Sequence, residues 1–408
     1  MNLLQPHPDL KFQRHWNLAQ IGLFLLPFST FLGGTLILMV AIAIWSRKFS
    51  SLSREPVNRG FAILGLVMIA AAWFADDRGS ALLGLFNFLP FFFTFAALAN
   101  LIRSPQHLTR IAWIWVITSI PVTVIGILEL LLNLGGSPSL LWGLISWKIF
   151  PGGNPVGRMA SVFEYATILA SYYAIVFILS LGLWLRERTI LLGGIVLLNA
   201  IGLILTNSRN VWAIAVLACL TFALYQGWKK IVVAVGILTG IVLGAAFAPE
   251  PLASLFRKIV PRFFWARLND QMFSDRPVNQ LRSTQWRFAW NMTEQRPLTG
   301  WGLRSFSRLY TEQMQLWMGH PHNLFFMLSS ESGLPAALMF YGLVGWIVAQ
   351  GFWTWKALSS ENRQIYFTFW TAFVACTLFS FLDVTLFDAR INLMGWVLLA
   401  AIWKMQDE

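Results

Sequence analysis

Two histidines flank one proline in Gly319-His320-Pro321-His322-Asn323-Leu324, and Glu331-Ser332-Gly333-Leu334-Pro335 follows closely. The chain's other histidines are His7, His15 and His107. An imidazole with an unperturbed pKa near 6.5 suits proton transfer at neutral pH, so His320 or His322 could serve as general base on an acceptor hydroxyl. The pair could also ligate a metal, although no Asp, Glu or Cys set stands beside it in sequence to close such a site. The third reading is structural: a histidine that caps a helix or bonds within its loop. Spacing leaves all three open and does not separate His320 from His322.

Arginine supplies the second signal. Arg158 follows Pro151-Gly152-Gly153-Asn154-Pro155-Val156-Gly157 and leads into Ser161-Val162-Phe163-Glu164-Tyr165. Arg209 sits in Thr206-Asn207-Ser208-Arg209-Asn210, a polar pinch between two uncharged apolar runs. A guanidinium that close to hydrocarbon costs several kcal/mol unless it faces water or a counter-ion. A ligand anion would meet that need, because guanidinium geometry suits phosphate bidentately. Snorkelling to lipid headgroups is the bland alternative. Arg282, Arg287, Arg296, Arg304 and Arg308 are read mostly as solvated charges or headgroup contacts. Asp383, Asp388 and Arg390 form another short polar junction. Glu164 and Glu331 could orient a His or an Arg, or cap helices. Gly300-x-Gly302 lacks the strand and third glycine of a dinucleotide site.

The elements that must hold these residues are membrane helices. Of 408 residues, 57% are hydrophobic and only 12% charged, against about 45–50% and about 25% in soluble domains. That excludes a soluble enzyme, a secreted mini-domain and a disordered tail. At about 20 residues per span, the apolar runs 17–31, 33–46, 61–76, 80–102, 108–132, 159–185, 189–206, 209–226, 231–249, 334–355, 365–382 and 390–404 predict an all-α polytopic membrane protein with about twelve spans. Pro27 and Gly33-Gly34 favour two short first spans over one long helix. Cys219 and Cys376 lie in apolar runs, so neither a disulfide nor a thiolate metal site is expected. Gly236, Gly240 and Gly244 read as a helix-packing stripe.

Fifteen of the 30 basic residues fall in or beside the N-terminal segment, the loops 47–60, 103–107, 186–188, 229–230 and 356–363, and Lys404. The short loops opposite hold five: Arg78, Lys148, Arg158, Arg209 and Arg390. The positive-inside rule then puts both termini in the cytoplasm and the candidate site on the other face. The formal net charge of +12 is assigned to those loops and an anion site, not to nucleic acid. Four regions result: N-terminal spans 1–150, central spans 151–249, one large extracytoplasmic loop with short helices 250–333, and C-terminal spans 334–408.

Arg282-x-x-x-Trp286, Pro297-Leu298-Thr299-Gly300-Trp301-Gly302, His320-Pro321-His322-Asn323 and Glu331-Ser332-Gly333-Leu334-Pro335 occur in that order, after Arg158 with Phe163 and Ser208-Arg209. Together they resemble the bacterial O-antigen ligase and polymerase superfamily across about residues 150–350. The Phe163-Glu164-Tyr165 segment departs from that family's usual glycine- and asparagine-rich version. The resemblance implies a glycosyltransferase of the GT-C kind in the bacterial inner membrane, acting on its periplasmic face without metal or cofactor. It implies an undecaprenyl-diphosphate-linked oligosaccharide donor and a hydroxyl acceptor on a glycan, a lipid or a protein. By position, Arg158, Arg209, Arg282 and Arg287 would bind the diphosphate. His322 would activate the acceptor, with His320 as neighbour or substitute and Glu331 and Asn323 in support. One branch of the superfamily is labelled as involved in bicarbonate transport, so a transport role is the alternative, with polymerase as another.

Overall fold

The computed structural model describes residues 7, 9–269, 271–273 and 277–405, and both chain termini lie outside the described residues. Helix α1 (Gln13–Leu25) and helix α2 (Thr30–Leu52) form a hairpin. Gly33 permits it: a Cβ there would lie 2.6 Å from Leu26 Cα. Ser29 starts α2 by accepting the Leu32 amide at 3.2 Å, as an N-cap does. Over the hairpin's tip lies the 133–150 loop, fastened by Trp147 Nε1 to the Phe28 carbonyl at 2.7 Å and by Ser29 Oγ to the Leu144 carbonyl at 2.6 Å. This loop holds a small antiparallel pair, β1 (Ser139–Leu140) and β2 (Ile145–Ser146), in an otherwise helical fold that is consistent with the all-α expectation. Two-residue strands carry too little alternation to be read in advance.

The chain continues through α3 (Pro56–Trp73), α4 (Arg78–Gly84), α5 (Leu89–Leu101), α6 (Pro105–Leu131), α7 (Ala166–Glu187), α8 (Ile190–Leu205), α9 (Arg209–Tyr225) and α10 (Lys229–Phe247). Four short helices occupy the large loop: α11 (Leu252–Arg257), α12 (Arg262–Leu268), α13 (Arg282–Gln295) and α14 (Ser305–Met314). Then come α15 (Leu324–Ala357), α16 (Ser360–Ser380) and α17 (Ala389–Trp403). Among the described residues, seven helical stretches are long and apolar enough to cross a bilayer: α2, α3, α4 with α5, α6, α7, α10 and α15. The molecule is a mostly helical, polytopic membrane protein.

Helix α7 is the hub, 83% buried along its apolar stretch, with neighbours α6, α8, α9 and α16. Its Tyr173 donates to Thr123 Oγ1 at 2.8 Å and fills the space over Gly202. Helix α10 lies at the rim, only 11% buried. A Cβ on Gly236 or Gly240 would meet nothing within 4 Å, while Gly244 receives the Phe256 ring of α11. The glycine stripe therefore does not seat a second span within this chain.

Helix α15 breaks at Gly333, where φ is 83°. The turn Pro297–Gly302 plugs the break. Leu334 N–H donates to the Pro297 carbonyl at 2.8 Å, Trp301 N–H to Ser330 at 3.0 Å, and Gly302 N–H to Glu331 at 2.8 Å. Any side chain on Gly333 would strike the Leu298 carbonyl. The two sequence signatures Pro297–Gly302 and Glu331–Pro335 are thus halves of one joint.

Candidate active site

His322 sits just before α15 with a left-handed φ of 52°, a conformation that costs a non-glycine residue about 1–3 kcal/mol. Its own N–H bonds His320 Nδ1 at 3.1 Å, and Asn323 caps α15 by accepting the Phe326 amide at 3.1 Å. Asn323 Nδ2 also reaches the Phe381 carbonyl at 3.0 Å. That bond draws in the α16–α17 connection and delivers Asp383. His322 Nδ1 lies 2.9 Å from Asp383 Oδ1, and His320 Nε2 lies 3.7 Å from the same oxygen.

These contacts fix the tautomers by their partners. Asp383 is 9% exposed. Burial works to raise its pKa, but the His322 hydrogen bond, with His322, His320 and Arg282 nearby, overrides burial and leaves it below the ordinary carboxylate value. Ionised Asp383 accepts, so His322 donates through Nδ1 and carries its lone pair on Nε2. His320 accepts through Nδ1, and burial first, then His322 and Arg282, lower its pKa to about 4 against the pull of Asp383. It is neutral at pH 7, with its proton on Nε2. The two imidazoles are therefore not equivalent: His322 is the one paired with a carboxylate.

His320, His322 and Asp383 line a cleft of about 1080 Å³ together with Tyr165, Arg304, Arg308, Trp317, Phe387 and Asp388. The three donor atoms lie within 4.8 Å of one another, so they could also converge on a divalent cation. The sequence offered only the H-x-H pair for that purpose. Asp383, the third donor, is 61 residues away in sequence.

The arginines gather around Thr206–Arg209. Arg158 Nε donates to the Thr206 carbonyl at 3.0 Å, and Met159 N–H to Leu205 at 3.0 Å. Arg209 Nη1 donates to the Arg267 carbonyl, and Arg267 Nη2 to the Asn207 carbonyl at 3.1 Å. Burial lowers the pKa of Arg158, with Tyr165 and Asp383 opposing and Arg209 adding to the fall. The pinch adjoins the histidine corner: Asn210 Nδ2 reaches the Leu382 carbonyl at 3.4 Å, one residue from Asp383. Arg282, at the start of α13, acts electrostatically on Asp383 and His320.

Two supports hold the Arg158 loop. Buried Glu129, near the end of α6, accepts the Ala160 and Ser161 amides at 2.9 and 2.8 Å. Arg390 pairs with Asp388 at 2.6 Å, donates to the Val162 carbonyl at 2.8 Å, and stacks 4.1 Å over the Phe163 ring. Neither Glu129 nor Arg267 was singled out from the sequence. A carboxylate inside an apolar run was the available signal for Glu129, whereas Arg267 had none beyond its charge. Glu331 accepts the Phe306 amide at 3.0 Å at the start of α14, so it caps a helix and orients neither histidine. Arg287 is exposed, on the face of α13 turned away from buried Gln285, Phe288, Ala289 and Met292. The structure does not bring it to the pinch.

Residues 194–341 match the family model described as O-antigen ligase. Over that stretch the chain is similar to the O-antigen ligase superfamily. The matched stretch runs from α8 into α15 and carries Arg209, Arg267, Arg282, His320 and His322. Arg158 and Asp383 lie outside it, yet pack against it. No curated protein matches the chain.

Proposed function

We propose that this O-antigen ligase-type membrane protein is a metal-independent glycosyltransferase. It moves a glycan from an undecaprenyl-diphosphate carrier to a hydroxyl acceptor on the periplasmic face of a bacterial inner membrane. The observation that carries this reading is the His322–Asp383 pair opening on a cleft beside a cluster of desolvated guanidinium groups. His322 Nε2 takes the acceptor proton as the acceptor oxygen bonds the anomeric carbon. The bond from that carbon to the diphosphate breaks, and its electron pair leaves on the diphosphate. Asp383 stabilises the imidazolium that forms. Arg158 and Arg209, with Arg282 nearer the histidines, meet the charge on the leaving group. This reading keeps twelve spans, with α1, α8, α9, α16 and α17 as shorter or more polar members, and both termini cytoplasmic. The break in α15 at Gly333 is plugged by protein rather than opening on a midplane cavity, which supports an enzyme over a transporter.

The test is transfer by full-length protein in nanodiscs, given a diphosphate-linked glycan donor and a glycan acceptor. His322→Ala is expected to lower the rate about 10²–10⁴-fold, and Arg209→Ala about 10²–10³-fold. EDTA should leave the wild-type rate unchanged. Wild-type rates in both variants would reject the assigned site. Loss of activity in EDTA, restored by added Zn²⁺ or Mg²⁺, would favour a metal on His320, His322 and Asp383 instead.

A further inference from the structure

Helix α12 is a seven-residue segment of the large loop, yet it lies against the pinch through several independent contacts. The Arg267 carbonyl accepts from Arg209, and the Arg267 guanidinium reaches back to the Asn207 carbonyl. That guanidinium also lies 5.3 Å from the Phe263 ring centroid and 6.0 Å from that of Trp212. Trp212 packs against both Phe263 and Phe264. Arg267 Nε is buried and has no hydrogen-bond partner among the described residues. Arg267, Arg209 and Arg158 therefore hang on the carbonyls of residues 206, 207 and 267. Burial lowers the pKa of Arg267, and Arg209 and Arg158 lower it further. Backbone carbonyls hold the three guanidinium groups close together.

We propose that Arg267 is a further anion-binding residue for the donor diphosphate, placed at the pinch by the docking of α12. This rests on the reading of the pinch as the diphosphate site. A lipid-linked sugar diphosphate carries two phosphodiester charges. Breaking the bond to the anomeric carbon leaves that electron pair on the terminal phosphate oxygen and adds another charge. A further guanidinium at the pinch adds to the cations that meet this growing charge. The unbonded Nε–H of Arg267 supplies a donor for the added charge. The aromatic shelf of Trp212 and Phe263 fixes the guanidinium plane while keeping water from one side.

The experiment uses inorganic pyrophosphate as the probe and full-length protein in nanodiscs, with binding read by calorimetry at two ionic strengths. Arg267→Gln keeps an N–H for the Asn207 carbonyl but removes the charge, whereas Arg267→Lys keeps the charge. Expected are about 10–100-fold weaker binding in Arg267→Gln, a shallower salt dependence, and at least partial recovery in Arg267→Lys. Wild-type affinity in Arg267→Gln, with Arg158→Ala and Arg209→Ala still weakened, would overturn the role of Arg267 and leave the diphosphate site standing. Pyrophosphate binding that is absent, or indifferent to all the arginines, would instead bring down the underlying reading.

Discussion

The histidine corner and the arginine pinch are neighbours built on opposite electrostatic plans. In the corner, His322 and His320 face a buried carboxylate, Asp383, so any positive charge formed there meets an internal partner. In the pinch, Arg158, Arg209 and Arg267 are anchored by backbone carbonyls and repel one another. A group that gains and loses a proton in each turnover needs its counter-charge built in, because that charge must be stabilised whatever substrate is bound. A site that receives a multiply charged ligand works the other way. Clustered guanidinium groups favour a ligand with several negative charges, so the charge itself selects the ligand. The Asn210–Leu382 hydrogen bond couples the two plans.

The sharpest way to break this contrast is Asp383→Asn. The asparagine keeps the volume, but its amide no longer supplies the negative charge that selects the Nδ1–H tautomer of His322. Transfer should fall about 10³-fold or more, while pyrophosphate affinity stays within about twofold of wild type. Single-turnover transfer and calorimetry on the same preparation check both halves. A rate within threefold of wild type would mean the imidazole works without its carboxylate, and the corner would lose its assigned role.

Each site was half legible in sequence: the histidine pair by type and spacing, the arginines because a guanidinium beside hydrocarbon is conspicuous by its cost. Arg158 and Arg209 each stood out at the end of an apolar run. Asp383 was visible only as part of a polar junction with Asp388 and Arg390. Its pairing with His322 depends on Asn323 reaching Phe381 across 58 residues, which no local pattern encodes. Arg267 was hidden for a different reason: the large loop holds many arginines, and only the docking of α12 distinguishes this one. The helical runs were readable from apolar periodicity, including the turn after Pro27. The plug at Gly333 was not, since its two strands of sequence look like unrelated turns until their backbones pair.

A second, smaller effect probes the corner through pH. His320 has a folded pKa of about 4 against an ordinary 6.5, held down chiefly by burial. Its contribution to stability is therefore fully present above pH 6.5 and is lost as pH falls toward 4, where the unfolded chain takes up the proton more readily. The shift corresponds to about 3 kcal/mol over that window. His320→Gln should flatten the fall in Tm between pH 7 and pH 4.5, measured in detergent micelles, without changing Tm at pH 8 by the same amount. An unaltered acid slope would mean that the partly buried imidazole does not report on this corner.

The smallest expected effect falls on Arg287, which family position alone would assign to the diphosphate. Its side chain is exposed on α13, away from the face that packs into the loop, while Arg282, five residues earlier, acts on Asp383 and His320. A solvated surface charge far from the ligand is screened within about 8–10 Å at physiological salt. Arg287→Ala should therefore leave pyrophosphate affinity and transfer rate within about twofold of wild type, against at least tenfold weaker pyrophosphate binding for Arg209→Ala in the same assay. If Arg287→Ala matched Arg209→Ala, helix α13 would have to rotate or the loop close when donor binds. The pinch would then extend along α13, and Arg287 would rejoin the residues that hold the diphosphate.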